Sequence, residues 1–319
     1  MRVARSVGTR EVVVAEEADP VAGPEEVVVR VLACGVCGSD VSDAWVAPKL
    51  PAVLGHEVCG VVEQAGAGVT AVAPGDRVVL HHHAGCGTCR RCTHGHETLC
   101  EAFRAGNLDP GGFAERVRVP AELVDELLPT ALDPVLATFT EPLACVLRAL
   151  DRGGLRAGDT LLVLGCGTGG LLAVAAAHAR GVEVVWVREP RAERRARAVA
   201  LGAAPHGGEP VDVALVCAPG DAAVQEAFGV LAPGGRLVLY ATPTAPQLAL
   251  DAASLYAREI ELRPSYSAGR ADMRAALALL ESGAVDPAPL VTHRLELART
   301  GEALDLARRG EALKAVVLP

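Results

Sequence analysis

Residues 161–180 read LLVLGCGTGGLLAVAAAHAR, an apolar run followed by a glycine-rich turn and an alanine-rich segment. The turn fits the pattern G-x-G-x-x-G, and it lies between a predicted strand over 161–165 and a predicted helix over 169–180. Such glycines permit a tight turn, let the backbone approach a pyrophosphate, and let the helix pack on the strand. The helix N-terminus adds free N–H groups and a favourable dipole. The residues predicted to bind a dinucleotide are Gly165, Gly167, Thr168, Gly169 and Gly170.

The segment that follows this turn alternates strands with helices. Glycine-rich turns are common on their own, so the surrounding pattern decides between a dinucleotide site and a simple turn. Continuous apolar strands separated by helices indicate a parallel, doubly wound sheet, and they favour the dinucleotide site. Further strands are predicted at 183–187, 211–218 and 236–241, and further helices at 190–201, 223–231 and 271–283.

The end of the second strand indicates which cofactor is bound. NAD sites usually carry an acidic residue there for the ribose 2′-hydroxyl, whereas NADP sites favour arginine. Val187 stands at the predicted strand end, and Arg188, Arg191, Arg194 and Arg195 follow it. We predict NADP(H) in preference to NAD(H), bound by Arg188 and Arg191. The alternative is that Glu189 is the ribose acid and that the arginines form a solvated helix face.

The first third of the chain has a different pattern. Short valine-rich runs alternate with turns at 25–35, 57–66, 75–83 and 114–120. This spacing predicts an irregular antiparallel β domain. A chain of 319 residues is long enough for both this domain and the doubly wound one.

Charge and hydropathy restrict the function. The formal net charge of −9 argues against a nucleic-acid or anionic-membrane partner. No apolar run approaches the length of a membrane span, and the N-terminus lacks the pattern of a signal peptide. We therefore expect a cytoplasmic protein that acts on a small molecule, and we expect its ten cysteines to bind metal or to be buried thiols.

Residues 86–100 read CGTCRRCTHGHETLC and space four cysteines as C-x2-C-x2-C-x7-C. Four thiolates saturate a tetrahedral zinc, which predicts a structural site at Cys86, Cys89, Cys92 and Cys100. Such a site explains how the aperiodic insertion at 84–112 is ordered. The alternatives are unligated thiols, which oxidise readily, and an iron–sulfur cluster, for which there is no electron-transfer context. Nearby histidines are interpreted as surface or supporting groups: His81, His82, His83, His94 and His96.

A second metal site is predicted from three separate segments. Cys37 lies in CGVCGSD, His56 and Glu57 lie in LGHE, and Glu141 opens the segment EPLACVLRAL. A thiolate, an imidazole and a carboxylate leave one position open on zinc for water or substrate. An isolated cysteine or histidine is more often structural, so the prediction depends on all of these features occurring together.

These motifs carry a family resemblance. CGVCGSD, GHEVCGVV, GDRVV, CxxCxxCx7C, GGFAE, EPLA and LGCGTGG occur in the order seen in zinc-dependent medium-chain dehydrogenases, over essentially the whole chain. The chain most resembles the sorbitol and polyol dehydrogenase branch. The resemblance implies an α/β protein with a GroES-like irregular β catalytic domain at 1–142 and 267–319. It also implies a structural-zinc lobe at 84–101 and a Rossmann domain with a doubly wound parallel sheet at 143–266.

The resemblance also implies roles for individual residues. Catalytic zinc would be held by Cys37, His56 and either Glu57 or Glu141. Asp40 matches the acid that orients the histidine ligand, and Ser39 matches the hydroxyl that contacts the reacting oxygen and begins a proton relay.

Two departures from the family pattern affect the substrate side of this site. Relatives often carry histidine where this chain has Ser42, which puts the outer part of the relay in doubt. The loop between Cys37 and His56 is also shortened. It carries Trp45, which is predicted either to wall the pocket or to cap the domain.

The sequence therefore predicts an oxidoreductase with two zinc ions per chain. It would transfer a hydride between NADP(H) or NAD(H) and a secondary alcohol or ketone of a small polar molecule such as a polyol, sugar or cyclitol. Threonine or simple alcohol dehydrogenase is the alternative within the family. A non-catalytic zinc-stabilised dinucleotide-binding protein and a zinc-free quinone reductase are further alternatives. We expect a homodimer or homotetramer joined partly at the sheet edge near 236–241.

Overall fold

A computed structural model describes residues 1–105, 107–242 and 247–319. Its strands are β1 Arg2–Gly8, β2 Glu11–Glu16, β3 Val27–Gly35, β4 Ala52–Val53, β5 Glu57–Ala65, β6 Arg77–Leu80, β7 Arg116–Val119, β8 Leu128–Pro129, β9 Thr160–Leu164, β10 Val184–Arg188, β11 Ala204–Pro205, β12 Val211–Val216, β13 Leu231–Leu239, β14 Glu261–Pro264, β15 Val291–Glu296 and β16 Lys314–Leu318. Its α-helices are α1 Asp43–Val46, α2 Arg90–Thr93, α3 Glu101–Ala105, α4 Ala121–Val124, α5 Pro134–Ala137, α6 Thr140–Arg152, α7 Thr168–Ala179, α8 Ala192–Ala200, α9 Asp221–Val230, α10 Ala252–Ala257, α11 Arg270–Glu281 and α12 Thr300–Arg308.

The chain divides into two compact units. The first comprises Met1–Pro142, Gly269–Ser282 and Pro287–Pro319, and the second comprises Leu143–Ala268 and Gly283–Asp286. The sequence-based boundaries differ from this division in two short segments, because residues 267–268 and Gly283–Asp286 group with the second unit and not with the first. No helix among the described residues is both long enough and apolar enough to span a membrane.

The second unit contains a six-stranded sheet in the order β11-β10-β9-β12-β13-β14. Every neighbouring pair in this sheet is parallel. In the central strand β9, the residues Leu161–Leu164 are all buried, as expected for a strand covered on both faces. The predicted doubly wound parallel sheet is confirmed, and its strand order is that of a dinucleotide-binding fold.

Two details of this sheet differ from the sequence prediction. Strand β10 begins and ends one residue later than predicted, at Arg188. Strand β13 begins at Leu231, and it is an interior strand because it pairs with both β12 and β14. The prediction that 236–241 forms the exposed edge is therefore wrong, and the edge on that side of the sheet is β14. Its last residue is Pro264, which suits an edge strand because proline has no N–H to donate.

The glycine turn after β9 requires small residues at specific positions. Gly165 has a φ of +96°, which disfavours any residue with a Cβ. A Cβ on Gly170 would stand 1.9 Å from the carbonyl oxygen of Gly165, so only glycine lets α7 approach the strand this closely. A Cβ on Gly167 would stand 4.0 Å from its nearest neighbour, which is an ordinary contact.

The first unit is built on a sheet in the order β15-β16-β3-β5-β6-β8, with β7 also paired to β3. Valines that alternate along β3 and β5 form its core, together with residues such as Phe113 and Leu123. Strand β16, at the C-terminus, pairs with β3 so that Val316 lies opposite Gly35. This pairing places the last strand of the chain beside the residues that precede Cys37. A separate three-stranded sheet has the order β2-β1-β4.

The glycine turn generates a prediction about stability. Gly170→Ala should destabilise the fold by about 1–3 kcal/mol or more, because the added methyl group meets backbone that cannot move aside. Gly167→Ala is the matched control: it meets no close neighbour and should cost less than about 1 kcal/mol, the effect of alanine at the N-cap of α7. Chemical denaturation followed by circular dichroism measures both. Equal stability of the two variants would contradict the packing argument.

Candidate functional site

The four predicted zinc-ligating cysteines come together in the lobe that contains α2 and α3. Their sulfurs all lie within 4.8 Å of one another. The Sγ of Cys89 is 3.6 Å from that of Cys92 and 3.7 Å from that of Cys100, and the Sγ atoms of Cys86 and Cys92 are 4.0 Å apart. Four sulfurs about 2.3 Å from a tetrahedral ion would be about 3.8 Å apart. The donor set therefore fits a zinc ion.

Backbone groups of the lobe stabilise thiolate at this site. The backbone N–H of Cys89 donates to the Sγ of Cys86 over 3.3 Å, and the N–H of Cys86 donates to the Sγ of Cys100 over 3.5 Å. Hydrogen bonds from the backbone of Cys89 and Thr88, and from the Thr88 hydroxyl, lower the pKa of Cys86 to about 6. A thiolate is the form that ligates a metal, so these hydrogen bonds favour the ligating form of Cys86.

Cys37, His56 and Glu57 form the second group. Cys37 precedes the short 3₁₀ turn Gly38–Val41, whereas His56 directly precedes β5 and Glu57 is its first residue. One ligand atom from each of the three side chains lies within 4.8 Å of the other two. A thiolate, an imidazole and a carboxylate are the donors of an open zinc site. The set fits such an ion, and it includes a buried carboxylate oxygen, Oε1 of Glu57, with no hydrogen-bond partner among the residues that the structure describes.

Asp40 connects two of these residues. Its Oδ2 accepts a hydrogen bond of 3.0 Å from the backbone N–H of Cys37, and its Oδ1 lies 3.5 Å from Nδ1 of His56. Burial raises the pKa of Asp40, but the His56 charge and these hydrogen bonds outweigh burial and lower the pKa overall. Burial likewise opposes the charged imidazole, yet Asp40 and Cys37 raise the pKa of His56 well above its usual value. The contact holds Nδ1 of His56 and leaves Nε2 for a metal.

Glu57 is paired with a lysine from the other end of the chain. Both side chains are almost fully buried, and the Nζ of Lys314 binds the Oε2 of Glu57 and the carbonyl oxygen of Val36. Gly35 makes room for this pair, because a Cβ there would stand 2.0 Å from Oε2 of Glu57 and 2.9 Å from Cε of Lys314. One oxygen of Glu57 is thus fixed by Lys314 while the other remains unpartnered.

The remaining predicted residues lie near this group without belonging to it. Glu141, at the start of α6, is buried, and its carboxylate is outside the three-residue set. Its charge is nevertheless one of the influences that raise the pKa of Glu57, after burial, so the two carboxylates are close. Ser39 is half-buried in the turn that follows Cys37.

The three consecutive histidines after β6 differ from one another. His81 is buried, and its Nδ1 lies 3.6 Å from the buried Glu126, which is also paired with Arg270. The ring of His82 lies 4.7 Å from that of His56 and 3.9 Å from that of His83. The prediction of surface or supporting groups therefore holds for His82, which supports His56, and for the exposed His94 and His96. His81 is instead buried beside the ion pair of Glu126 and Arg270.

Phe103 links these histidines to the four-cysteine lobe. Its side chain is fully buried, and its ring lies 6.0 Å from that of His81 and 4.7 Å from that of His83. Phe103 lies in α3, which follows Cys100 directly. The lobe therefore packs against the same strand end that carries His82.

In the second unit, Glu189 and several arginines surround the glycine turn. Glu189 follows β10 and is buried, and its carboxylate accepts hydrogen bonds from the backbone N–H groups of Cys166 and Arg191. The Nε of Arg188 pairs with Glu226 over 2.9 Å. Arg194 approaches the turn, with Nη1 4.0 Å from the place of a Cβ on Gly167. Val187, the residue predicted to end the second strand, is almost fully buried.

Sequence reasoning missed Lys314 and the pair formed by Glu126 and Arg270. A single lysine at the start of the apolar strand KAVVL was the available signal for Lys314, because a charge in a buried strand needs a partner. Glu126 and Arg270 stand 144 residues apart in loop and helix segments without a distinctive pattern, so no local signal marks them.

Two protein-family models match the sequence of this chain. The family model described as an alcohol dehydrogenase GroES-like domain matches residues 23–129, and the one described as a zinc-binding dehydrogenase matches residues 204–282. The L-threonine 3-dehydrogenase of Bacillus velezensis is 32% identical, covering 94% of this chain and 93% of that protein. The sorbitol dehydrogenase of Halalkalibacterium halodurans is 30% identical, and the match covers 98% of this chain and 97% of that protein.

A solved structure shares the fold over the whole chain. It is a zinc-binding dehydrogenase from Sinorhizobium meliloti bound to NADP, with 29% identity and a TM-score of 0.89, covering 100% of this chain and 99% of that chain. The predicted fold class, a GroES-like domain with a Rossmann domain, is confirmed by these matches. This chain belongs to the zinc-dependent medium-chain alcohol dehydrogenase family.

Proposed function

We propose that the protein transfers a hydride between a nicotinamide dinucleotide and a secondary alcohol or ketone of a small polar molecule such as a polyol, sugar or cyclitol. The observation that carries this proposal is the convergence of Cys37, His56 and Glu57, with one buried carboxylate oxygen left unpartnered. A similarity of 30% to a sorbitol dehydrogenase supports the polyol class. The 32% similarity to a threonine dehydrogenase makes an amino alcohol the second candidate substrate.

Each residue of this group has a task in the reaction. Zinc bound there supplies a Lewis acid for the substrate oxygen, and the nicotinamide supplies the hydride acceptor or donor. Cys37, His56 and Glu57 are the proposed ligands, with Glu141 as the alternative carboxylate. Asp40 holds the imidazole in the ligating orientation. Ser39 accepts the hydroxyl proton of the substrate and passes it towards solvent.

The four cysteines of the lobe are proposed to hold a second, structural zinc, which gives two zinc ions per chain. Four sulfurs that all lie within 4.8 Å of one another leave no open position on zinc for a substrate. None of the ten cysteines is in a disulfide, as is usual for a protein of a reducing compartment. We propose that the enzyme works in the cytoplasm.

The division between the two metal sites can be tested with one variant of each. Cys37→Ser should abolish oxidation of a panel of polyols, sugars and amino alcohols and leave the melting temperature unchanged. Cys92→Ser should lower the melting temperature by about 4–8 °C, corresponding to a loss of about 2 kcal/mol. Metal analysis should find two zinc equivalents in the wild type and one in each variant. If both variants lose stability and activity alike, the proposed division is wrong.

We further propose that NADP(H) is preferred to NAD(H). The carboxylate of Glu189 already accepts two backbone hydrogen bonds, whereas guanidinium groups gather around the glycine turn. The guanidinium of Arg195 donates a hydrogen bond of 2.7 Å to the carbonyl oxygen of Glu189, and Nη1 of Arg194 lies 4.0 Å from the place of a Cβ on Gly167. Arg188 forms an ion pair with Glu226 in which both side chains are partly exposed. Such ion pairs contribute about 0–1 kcal/mol to the free energy of unfolding. A 2′-phosphate can therefore displace that partner.

The competing assignment is that Glu189 binds the ribose hydroxyls of NAD. It is favoured by the position of Glu189 directly after the strand that ends at Arg188. Each oxygen of a carboxylate accepts more than one hydrogen bond, so the contacts to the turn do not prevent this role.

The two assignments give opposite results for matched variants. Arg188→Ala should weaken NADP binding about ten- to a hundredfold, the value of a charge-assisted hydrogen bond, and leave NAD binding nearly unchanged. Calorimetric dissociation constants of both cofactors for the wild type and for Arg188→Ala and Glu189→Gln measure this. A wild type that binds NAD more tightly, together with a Glu189→Gln variant that loses NAD binding, would establish Glu189 as the ribose acid.

Homo-oligomer formation, as a dimer or tetramer, is also proposed. Strand β14 offers an unpaired edge in the second unit, and its Leu262 is exposed. Light scattering at micromolar concentration should give twice or four times the mass of the 32.8 kDa chain. A monomeric mass would contradict this proposal.

A further inference from the structure

Tyr240 lies against the glycine turn of the second unit. A Cβ on Gly169 would stand 2.7 Å from Cε1 of Tyr240 and 3.0 Å from its hydroxyl oxygen. Gly169 is in the first turn of α7, and Tyr240 directly follows β13. Because glycine has no side chain, the phenol ring fills the space beside residue 169 and packs on the backbone at the start of the helix.

Hydrogen bonds of the sheet fix the position from which this side chain extends. The backbone N–H groups of Tyr240 and Ala241 both donate to the carbonyl oxygen of Val216, over 3.2 and 2.9 Å. Val216 ends β12 and lies opposite Leu164, the last residue of β9. Tyr240 is thus held at the carboxyl end of the parallel sheet, which is the end where such sheets bind their ligands.

The end of β12 lies between the glycine turn and β13. The backbone N–H groups of Cys217 and Ala218 donate to the carbonyl oxygen of Leu164 over 2.8 and 2.9 Å. A Cβ on Gly165 would stand 2.8 Å from the backbone nitrogen of Ala218. The two strand ends therefore meet through backbone and small side chains, and the half-buried Tyr240 borders them with an aromatic ring.

The strand order determines which half of a dinucleotide would reach Tyr240. With the diphosphate on the turn after β9, the ribose of the adenosine half lies at the end of β10. Arg188 and Glu189, the two candidates for binding that ribose, are at this end. Strands β10 and β12 lie on opposite sides of β9, and β13 follows β12. The nicotinamide half would therefore extend over the ends of β12 and β13, where Tyr240 stands.

We propose that Tyr240 is a cofactor-binding residue whose phenol ring packs against the nicotinamide ring and supports it beside the start of α7. This inference rests on the proposed function, because it concerns the dinucleotide of that reaction. Two aromatic rings attract each other through apolar contact and stacking. The oxidised nicotinamide ring also carries a positive charge, which favours the face of an aromatic ring.

Ligands with and without the nicotinamide ring test this contact. Zinc-loaded protein is titrated calorimetrically with NADP⁺, NADPH and 2′-phospho-ADP-ribose, which lacks only the nicotinamide ring. Tyr240→Ala should weaken NADP⁺ and NADPH about tenfold, the loss expected when a ring that stacks on a base is removed. Binding of 2′-phospho-ADP-ribose should change less than about twofold. If the wild type prefers NAD, the equivalent ligands are NAD⁺, NADH and ADP-ribose. Equal weakening of all three ligands, or of none, would overturn the proposal.

Two further tyrosine variants separate the ring from the hydroxyl and from general effects. Tyr240→Phe keeps the ring and should retain cofactor binding within about twofold. Tyr256→Ala is the matched control, because Tyr256 belongs to the same unit, is 85% exposed and should leave every dissociation constant unchanged. If Tyr240→Phe loses as much affinity as Tyr240→Ala, the hydroxyl is the binding group and the proposed ring contact is wrong.

A double variant tests the packing without any ligand. Alanine favours a helix over glycine, so Gly169→Ala should raise the melting temperature of Tyr240→Ala protein, in which the ring is gone. In the wild type the new methyl group meets the ring, so the same substitution should not raise the melting temperature. Equal effects of Gly169→Ala in the two proteins would show that residues 169 and 240 do not share this space, which would contradict the proposal.

Turnover separates this inference from the proposed function. If Tyr240→Ala weakens only the ligands that carry nicotinamide but the wild type oxidises no alcohol of the panel, the proposed reaction fails and the inference stands. If the wild type oxidises alcohols but Tyr240→Ala weakens all three ligands alike, the function stands and the inference is wrong.

Discussion

The arrangement of Cys37, His56 and Glu57 depends on the contacts of one buried carboxylate, that of Asp40. It accepts a hydrogen bond from the backbone N–H of Cys37 and lies against Nδ1 of His56. One side chain therefore fixes both the turn after β3 and the imidazole ring just before β5. Removing it would leave two partly buried donors without this partner. The group is therefore positioned by one side chain that contacts residues on either side of it, and the pairing of Gly35 in β3 with Glu57 in β5 brings the two segments together.

Local patterns were sufficient to predict much of the fold and the members of both cysteine-containing groups. The glycine turn and the cysteine spacing each lie within about twenty residues, and each strand or helix of the alternation is a short local segment, so all three can be interpreted without tertiary contacts. The exact ends of strands were less predictable. β13 extends back to Leu231 because Leu231 pairs with Val211 across a bulge, and a proline–glycine sequence hides that pairing.

Long-range ion pairs could not be predicted in the same way. Lys314 meets Glu57 across 257 residues because β16 pairs with β3, and nothing in the sequence near either residue specifies that register. The same is true of His81, which is buried against Glu126 although three consecutive histidines suggest a solvated segment. The arginines after β10 indicate a phosphate site from sequence alone. The hydrogen bond from the glycine turn to Glu189 could not be predicted, because it depends on how the backbone of the turn folds beside the end of β10.

Gly35 has a consequence for how the metal is acquired. Because the strand has no side chain at that position, β3 leaves a space that the carboxylate of Glu57 and the ammonium of Lys314 fill together. The carboxylate is thus oriented by the protein alone, with one oxygen secured and the other directed into the ligand group. A metal ion entering this preorganised cavity has little chain left to order, so its affinity is not reduced by the entropy of folding its own ligands.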